Sequence, residues 1–191
     1  MGDDQRLPMS SEEIESAHVG EAPLLNAQVV LMPYSDGWPV AYSVEAGRIG
    51  GALEGVRHVV EHVGSTSVPG LAAKPILDVL LIVPDSADES SYVPALKREG
   101  YELTIREPDW FEHRVLKKYG EAMPVTLHVL SEGCPEIRRM LAFRDRLRVN
   151  EEDRALYERT KLALAGQQWK YLQNYADAKT EVVEAILSRA L

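Results

Sequence analysis

Between His62 and Asp78 the chain concentrates groups suited to phosphate chemistry: His62-Val63-Gly64-Ser65-Thr66-Ser67-Val68-Pro69-Gly70, then Lys74-Pro75-Ile76-Leu77-Asp78. Gly64 lets a backbone approach a ligand with no Cβ in the way. Ser65, Thr66 and Ser67 add hydroxyls and successive N–H groups, the inventory of a phosphate nest. Asp78 stands thirteen residues after Ser65, inside the apolar run Ile76 to Val83. A carboxylate there needs a charged or hydrogen-bonded partner, and a divalent cation bridging to nucleotide phosphates would be one. A turn-rich crossover with Asp78 paired to Lys74 or Arg114 satisfies the same spacing.

Other groups could complete such a site. On the segment Glu112 to Lys118, alternation sets His113 and Lys117 on one face and Arg114 and Lys118 on the other. One pair could meet phosphate, while Lys and Arg would equally protect a solvated edge strand. His62 and His128 could each hold a metal or move a proton, although a strand histidine is commonly a hydrogen-bonded structural residue, the simpler reading for His62. Arg144, Asp145 and Arg148 read first as ion pairs interlocking helices. Cys134 precedes Pro135 in a turn with no nearby histidine, which argues against a catalytic thiol. Trp38 and Trp169 read as core aromatics and Trp110 as a partly exposed turn residue.

The elements that must position these groups follow from periodicity and punctuation. Ser10-Ser11-Glu12-Glu13 is a capping-box pattern opening a short helix to about His18. Ala27 to Met32 and Val56 to Val63 read as strands, with a helix from Trp38 to Leu53 between them. Ile76 to Val83 has the continuous apolar character of a central strand. Ser91 to Glu99 is expected to be helical, with Gly100 at its C′ position. Tyr101–Arg106, Glu112–Lys118 and Val125–Leu130 supply three more strands, with turns at Glu107-Pro108-Asp109, Tyr119-Gly120 and Met123-Pro124. From Pro135 the pattern is helical: Pro135–Val149, Glu151–Leu164 and a single helix from Gln168 to Leu191. Strands in the middle and helices at the end predict an α+β fold with a mixed sheet and a C-terminal helical part.

Composition bounds the function. With 191 residues, 45% of them hydrophobic, one sizeable core is expected without staples, and the single cysteine excludes an internal disulfide. Thirty acidic against 21 basic residues give a net charge of −9, a field that disfavours bulk nucleic-acid binding. Screening confines charge effects to roughly 8–10 Å, so a local basic cluster can still hold a small anion. No apolar run approaches the ~20 residues of a membrane helix, and the acidic N-terminal sequence lacks the apolar core of a secretion signal, so a cytoplasmic protein with no membrane partner is expected.

The stretch Val60 to Asp78 resembles the signature of the GrpB family, a branch of the DNA polymerase beta-like nucleotidyltransferase superfamily. The similarity runs from about Val29 to the C-terminus and includes Pro33-Tyr34 with Trp38, Leu127-His128-Val129, Leu141 to Arg148, and Tyr175-Ala176-Asp177-Ala178-Lys179. It implies a nucleotidyltransferase-like mixed β-sheet with flanking helices over residues 27–191, after an N-terminal extension of residues 1–26 with a short helix. It also implies the Gly64-Ser65 turn at the phosphates of ATP or another NTP, Mg²⁺ at Asp78, and Lys179 reaching toward the ligand. The candidate set is then Asp78 and His128 for catalysis, Asp78 for metal, and Gly64, Ser65, Thr66, Ser67, Lys74, Arg114 and Lys179 for phosphate. Active members of the superfamily carry a second carboxylate two residues after the first, where this chain has Leu80, and a third with no clear counterpart here beyond His128 or Glu112. Two functions therefore stand: nucleotidyl transfer from MgNTP to a small-molecule or protein acceptor, or a nucleotide-binding accessory protein that has lost the metal carboxylates. If position 80 faces the metal, Leu80→Asp should strengthen Mg²⁺ binding.

Overall fold

The apolar run at Ile76–Val83 becomes the second strand of a five-stranded sheet in the computed structural model, which describes residues 7–119 and 123–191. The strands are β1 (Val59–Val63), β2 (Leu77–Val83), β3 (Glu102–Glu107), β4 (His113–Lys118) and β5 (Val125–Ser131), in the spatial order β1-β2-β5-β4-β3. β2 and β5 are parallel, with Asp78 opposite Thr126 and Leu80 opposite His128, and the other pairings are antiparallel. The sheet is therefore mixed, and the fold is α+β with flanking helices, as the element pattern predicts.

Alternation divides the sheet into two faces of different character. Leu77, Val79, Leu81 and Val83 point to one side with Leu116, Leu127 and Val129. They pack under α2 (Gly37–Ala52) and α3 (Val93–Arg98) through Ile49, Leu53 and Leu96, all fully buried. Asp78, Leu80 and Ile82 point the other way, alongside Thr126 and His128 of β5. Part of that second face is sealed by α4 (Pro135–Val149): Val63, Leu80 and Leu130 form a cluster against Ile137, Met140 and Leu141. α5 (Glu151–Ala165), α6 (Leu172–Asp177) and α7 (Thr180–Leu187) extend the helical part, with Tyr157, Leu147 and Ile186 packing on Val68 and Leu71 of the loop after β1.

The first helix, α1 (Ser11–Ala17), starts at the expected capping box: the Ser10 side chain accepts from the Glu13 N–H and the Glu13 carboxylate from the Ser10 N–H. Gly100 follows α3 with φ 87°, the left-handed C′ geometry a glycine supplies.

Three expectations are corrected. Ala27–Met32 is extended but forms no strand of the sheet. It makes isolated bridges, Ala27 to Trp169 and Met32 to Ala73, and its apolar residues Val29 and Leu31 pack on Ala165 and Tyr175. Its partners are helix surfaces, which leave an apolar segment the same composition as a strand. Val56 to His58 precede β1 instead of joining it, because the Val56 N–H closes a turn onto the Leu53 carbonyl. The single helix expected from Gln168 is two helices: Trp169 and Tyr171 are held extended by the bridge to Ala27 and by the Asn174 cap, and the chain is interrupted again at Ala178-Lys179. The turn expected at Tyr119-Gly120 runs beyond the described residues, as do residues 1–6.

Candidate functional site

The unsealed part of the second sheet face opens into a cavity of about 330 Å³, roofed by α4 and α6 and by Lys179 at the α6–α7 junction. Gly64, Lys74, Asp78, His128 and Lys179 of the expected set all line it, together with Lys117. An adjoining lobe of about 280 Å³ continues past His113, His128 and Gln173 toward Trp110, Arg139 and Thr180.

Asp78 sits on the floor. It is half-buried, and among the described residues no donor hydrogen-bonds it and no cation lies within ion-pair distance. Gly64, opposite it at the end of β1, closes over it: φ is 67°, and a Cβ at this position would lie 2.4 Å from Asp78 Oδ2 and 2.7 Å from its Cβ. Only glycine fits, both for the backbone angle and for the approach. Burial raises the Asp78 pKa, opposed by Lys74, Lys179, Lys161 and Lys117, the four ammonium groups whose fields converge on it.

Those lysines define the electrostatics. Lys74 and Lys117 have pKa values lowered chiefly by burial. Lys161 is pushed down to about 8 by burial, and Lys179 to about 7 by burial and by the nearby Lys74 and Lys161. Lys179 Nζ lies 4.1 Å from the Tyr175 ring centroid and Lys74 Nζ 5.9 Å from it, so one aromatic face serves two cations. Lys161 donates to the Ala72 carbonyl and stands 5.0 Å from the Tyr157 ring centroid. Two acids border the group: Glu158 accepts the Ala72 N–H, and Asp177 accepts from Met9 N–H and Gln173. Lys74, Lys117 and Lys179 make no hydrogen bond or ion pair among the described residues.

At the other end of the cavity Glu107, His113 and His128 form a chain. Glu107 Oε2 lies 2.7 Å from His113 Nδ1, and His113 Nε2 lies 3.1 Å from His128 Nδ1. Glu107 and His113 are buried, the two imidazoles stack at 5.3 Å, and Trp110 meets His113 edge-on at 5.2 Å. The β3–β4 turn sets this up through consecutive left-handed residues, Phe111 at φ 55° and Glu112 at φ 52°. Such non-glycine strain persists only where surrounding contacts hold it.

The remaining members of the expected set lie elsewhere or face inward. Arg114 is not in the cleft: it projects from the opposite sheet face, 2.7 Å from Glu89 and 3.0 Å from Glu112. Thr66 is buried, with Oγ1 3.1 Å from His62 Nε2, and the Ser67 hydroxyl donates to the Gly64 carbonyl at 2.6 Å. Ser65, half-buried, adjoins Tyr157. His62 stacks on Tyr42 at 4.5 Å and is pushed down to about 4 by burial and by Arg148 and Arg144, so it is a neutral structural residue.

Leu80 is fully buried against Val63 and Leu130. The second-carboxylate position is thus filled by hydrocarbon that does not line the cavity. Among the described residues no three His, Cys, Asp or Glu side chains are placed to share a metal ion. One carboxylate amid four ammonium groups does not suit the Mg²⁺ expected at Asp78, because a divalent cation placed there is repelled by more charges than attract it.

Glu107, Lys117, Lys161 and Tyr175 carry much of this geometry. Lys161 had a legible signal: it stands in phase with buried Asp153, Tyr157 and Ala165 at four-residue spacing, where an ordinary surface lysine would not. Lys117 and His113 follow from alternation along β4. Nothing local marks Glu107, and Tyr175 stands out only through the Tyr175 to Lys179 stretch that carries the family resemblance.

The mixed-sheet fold is similar to that of a solved nucleotidyltransferase. Cid1 poly(U) polymerase, solved with MgGTP bound, superposes with a TM-score of 0.50 over 69% of this chain and 43% of that one, and at 11% identity the likeness is of fold alone. The chain belongs to the GrpB family: residues 28–189 match the GrpB protein family. It is 52% identical over 183 residues to UPF0157 protein BH1888 of Halalkalibacterium halodurans, covering 96% of this chain and 93% of that protein. The conserved protein GrpB from Enterococcus faecalis is similar in structure, with a TM-score of 0.74 at 31% identity over 84% of this chain and 96% of that one. No helix among the described residues is long and apolar enough to cross a membrane.

Proposed function

We propose that the chain binds a nucleoside triphosphate in this cleft, through the polyphosphate, as a nucleotide-binding member of the nucleotidyltransferase fold. The observation that carries it is the convergence of Lys74, Lys117 and Lys179 on one cavity, with buried Lys161 behind them, around an aspartate they do not directly contact. Burying like charges together is unfavourable, and an anion with several negative charges is the ligand that offsets it. Gly64 keeps the backbone low at the mouth, and the Tyr175 ring holds the two flanking ammonium groups in place.

Thermal-shift titration with the four NTPs tests this. Ligand at 100 times its Kd contributes about 2.7 kcal/mol, roughly 5–10 °C in Tm for a domain of this size. Absence of a shift with every NTP at millimolar concentration would refute the proposal.

A second reading, nucleotidyl transfer to a small-molecule or protein acceptor, is favoured by the Glu107–His113–His128 chain in the same cleft. A carboxylate-oriented histidine pair is suited to take a proton from an acceptor hydroxyl. Labelled NTPs incubated with the protein and a cell extract would give labelled product and pyrophosphate, lost in Asp78→Ala and in His128→Ala.

A further inference from the structure

We propose that this cleft takes its polyphosphate as the metal-free anion, with lysine ammonium groups supplying the positive charge that divalent cations would otherwise bring. The inference rests on the nucleotide-binding reading and sharpens it to the ionic form of the ligand.

Three observations converge. Lys74, Lys117 and Lys179 line the same cavity as Asp78, and none makes an ion pair among the described residues. Two of them, Lys74 and Lys179, stand over the Tyr175 ring, and among the described residues no carboxylate closes any of the three. The Gly64 backbone covers one flank of Asp78, with Oδ2 only 2.4 Å from where a Cβ would stand. An octahedral Mg²⁺ held by Asp78 and phosphate oxygens would keep waters in its remaining places, and the charges acting on Asp78 are ammonium groups, not a second carboxylate. The side chain two residues on, where a second carboxylate could have helped, is Leu80, sealed under α4 by Val63 and Leu130.

Glu158 and Asp177 each already accept backbone or amide N–H bonds at the margin of the cluster, and with Asp78 they leave the four lysines at most one charge in excess. In this arrangement Asp78 is a positioning residue: its carboxylate draws the four ammonium groups inward while remaining too far to pair with any of them.

A Mg²⁺ chelated by the triphosphate removes two of the negative charges the lysines meet and adds a cation to a site already rich in them. Free triphosphate is therefore the preferred ligand. Calorimetric titration of the full chain with ATP and with inorganic tripolyphosphate, once in EDTA and once in saturating MgCl₂, separates the cases. The expected result is binding about tenfold tighter in EDTA, and a loss of about tenfold or more in EDTA for Lys117→Met and for Lys179→Met, each with an unchanged circular dichroism spectrum. Affinity equal or tighter in MgCl₂ overturns the inference and leaves nucleotide binding standing. Binding of neither ligand in either condition overturns both. Should either lysine variant fail to fold, Lys74→Gln, half-buried at the cavity rim, provides the same measurement.

Discussion

Strand β4 buries basic side chains on both of its faces and meets the cost in opposite ways. On the face toward α2 and α3, Arg114 pairs with Glu89 and Glu112, and Lys118 donates to Glu45 at 3.0 Å while Tyr101 donates to the same carboxylate at 2.7 Å. On the cleft face, one residue along, Lys117 feels Lys74 and an aspartate that accepts no hydrogen bond among the described residues. Charges closed by complementary carboxylates hold the architecture together. Like charges gathered without such closure cost stability in the free protein, and a fold retains them where a ligand of opposite sign completes the set.

The largest effect is expected where the cleft face itself turns apolar. Leu80→Asp removes a fully buried leucine and leaves a carboxylate among Val63, Leu130 and Met140. Lost packing and an unpaired charge together should destabilise by roughly 4 kcal/mol or more, a large share of an ordinary domain's stability. Urea denaturation reads it directly. A Leu80→Asp protein with wild-type midpoint and increased Mg²⁺ affinity would mean that this part of the face belongs to the site after all.

Next come the two lysine environments set against each other. Glu45→Ala removes the buried carboxylate to which Lys118 and the Tyr101 hydroxyl both donate, and breaking one partner of a buried pair costs about 3–5 kcal/mol. Lys179→Met removes one of several mutually repelling charges and keeps the side-chain volume over Tyr175. Its stability should change by less than about 1 kcal/mol, in either direction. Denaturation midpoints of the two variants, measured together, decide it: equal losses would make the cleft lysines structural and erase the difference between the faces.

The same contrast explains what could be read from the sequence. β2, β4, β5 and the helix from Pro135 were legible because burial on one or both faces imposes a period, and a period is visible residue by residue. Asp78 was legible as a carboxylate inside an apolar run, and Gly64 through its place in the turn before it. Arg114 was misplaced because alternation says which residues share a face but not which face meets the cleft. The helix break at Ala178-Lys179, which brings Lys179 over Tyr175, has no glycine or proline to announce it. Glu107, Lys161 and Tyr175 reach the site from three distant elements, and only tertiary packing brings them together.

The smallest effect, and the one whose sign is most diagnostic, is the pH dependence of anion affinity. Burial and neighbouring charges hold Lys179 at about 7 and Lys161 at about 8 in the free protein. Lys179 faces Lys74, Lys161, Asp78 and Asp177, while Lys161 faces Glu158, Asp78 and Lys74. Both are ammonium ions below these values and neutral amines above them. A bound polyphosphate favours the charged forms and so raises both pKa values, which obliges the complex to take up protons wherever the free lysines have lost them. Affinity should therefore be greatest near pH 7 and fall as pH rises toward 9, by roughly threefold per unit at first and more steeply where both lysines are neutral, each whole proton taken up contributing about tenfold per unit. Above pH 7.5 the second ionisation of a phosphate ester, near about 6, is essentially complete and contributes little of its own. Calorimetry with ATP in EDTA at pH 8, repeated in buffers of different ionisation enthalpy, counts the protons: uptake is expected on binding, and Lys179→Met should reduce it. A bound cation would do the reverse, lowering the lysine pKa values further and releasing protons, so the sign of the exchange alone distinguishes a cleft that reads negative charge from one that holds a metal.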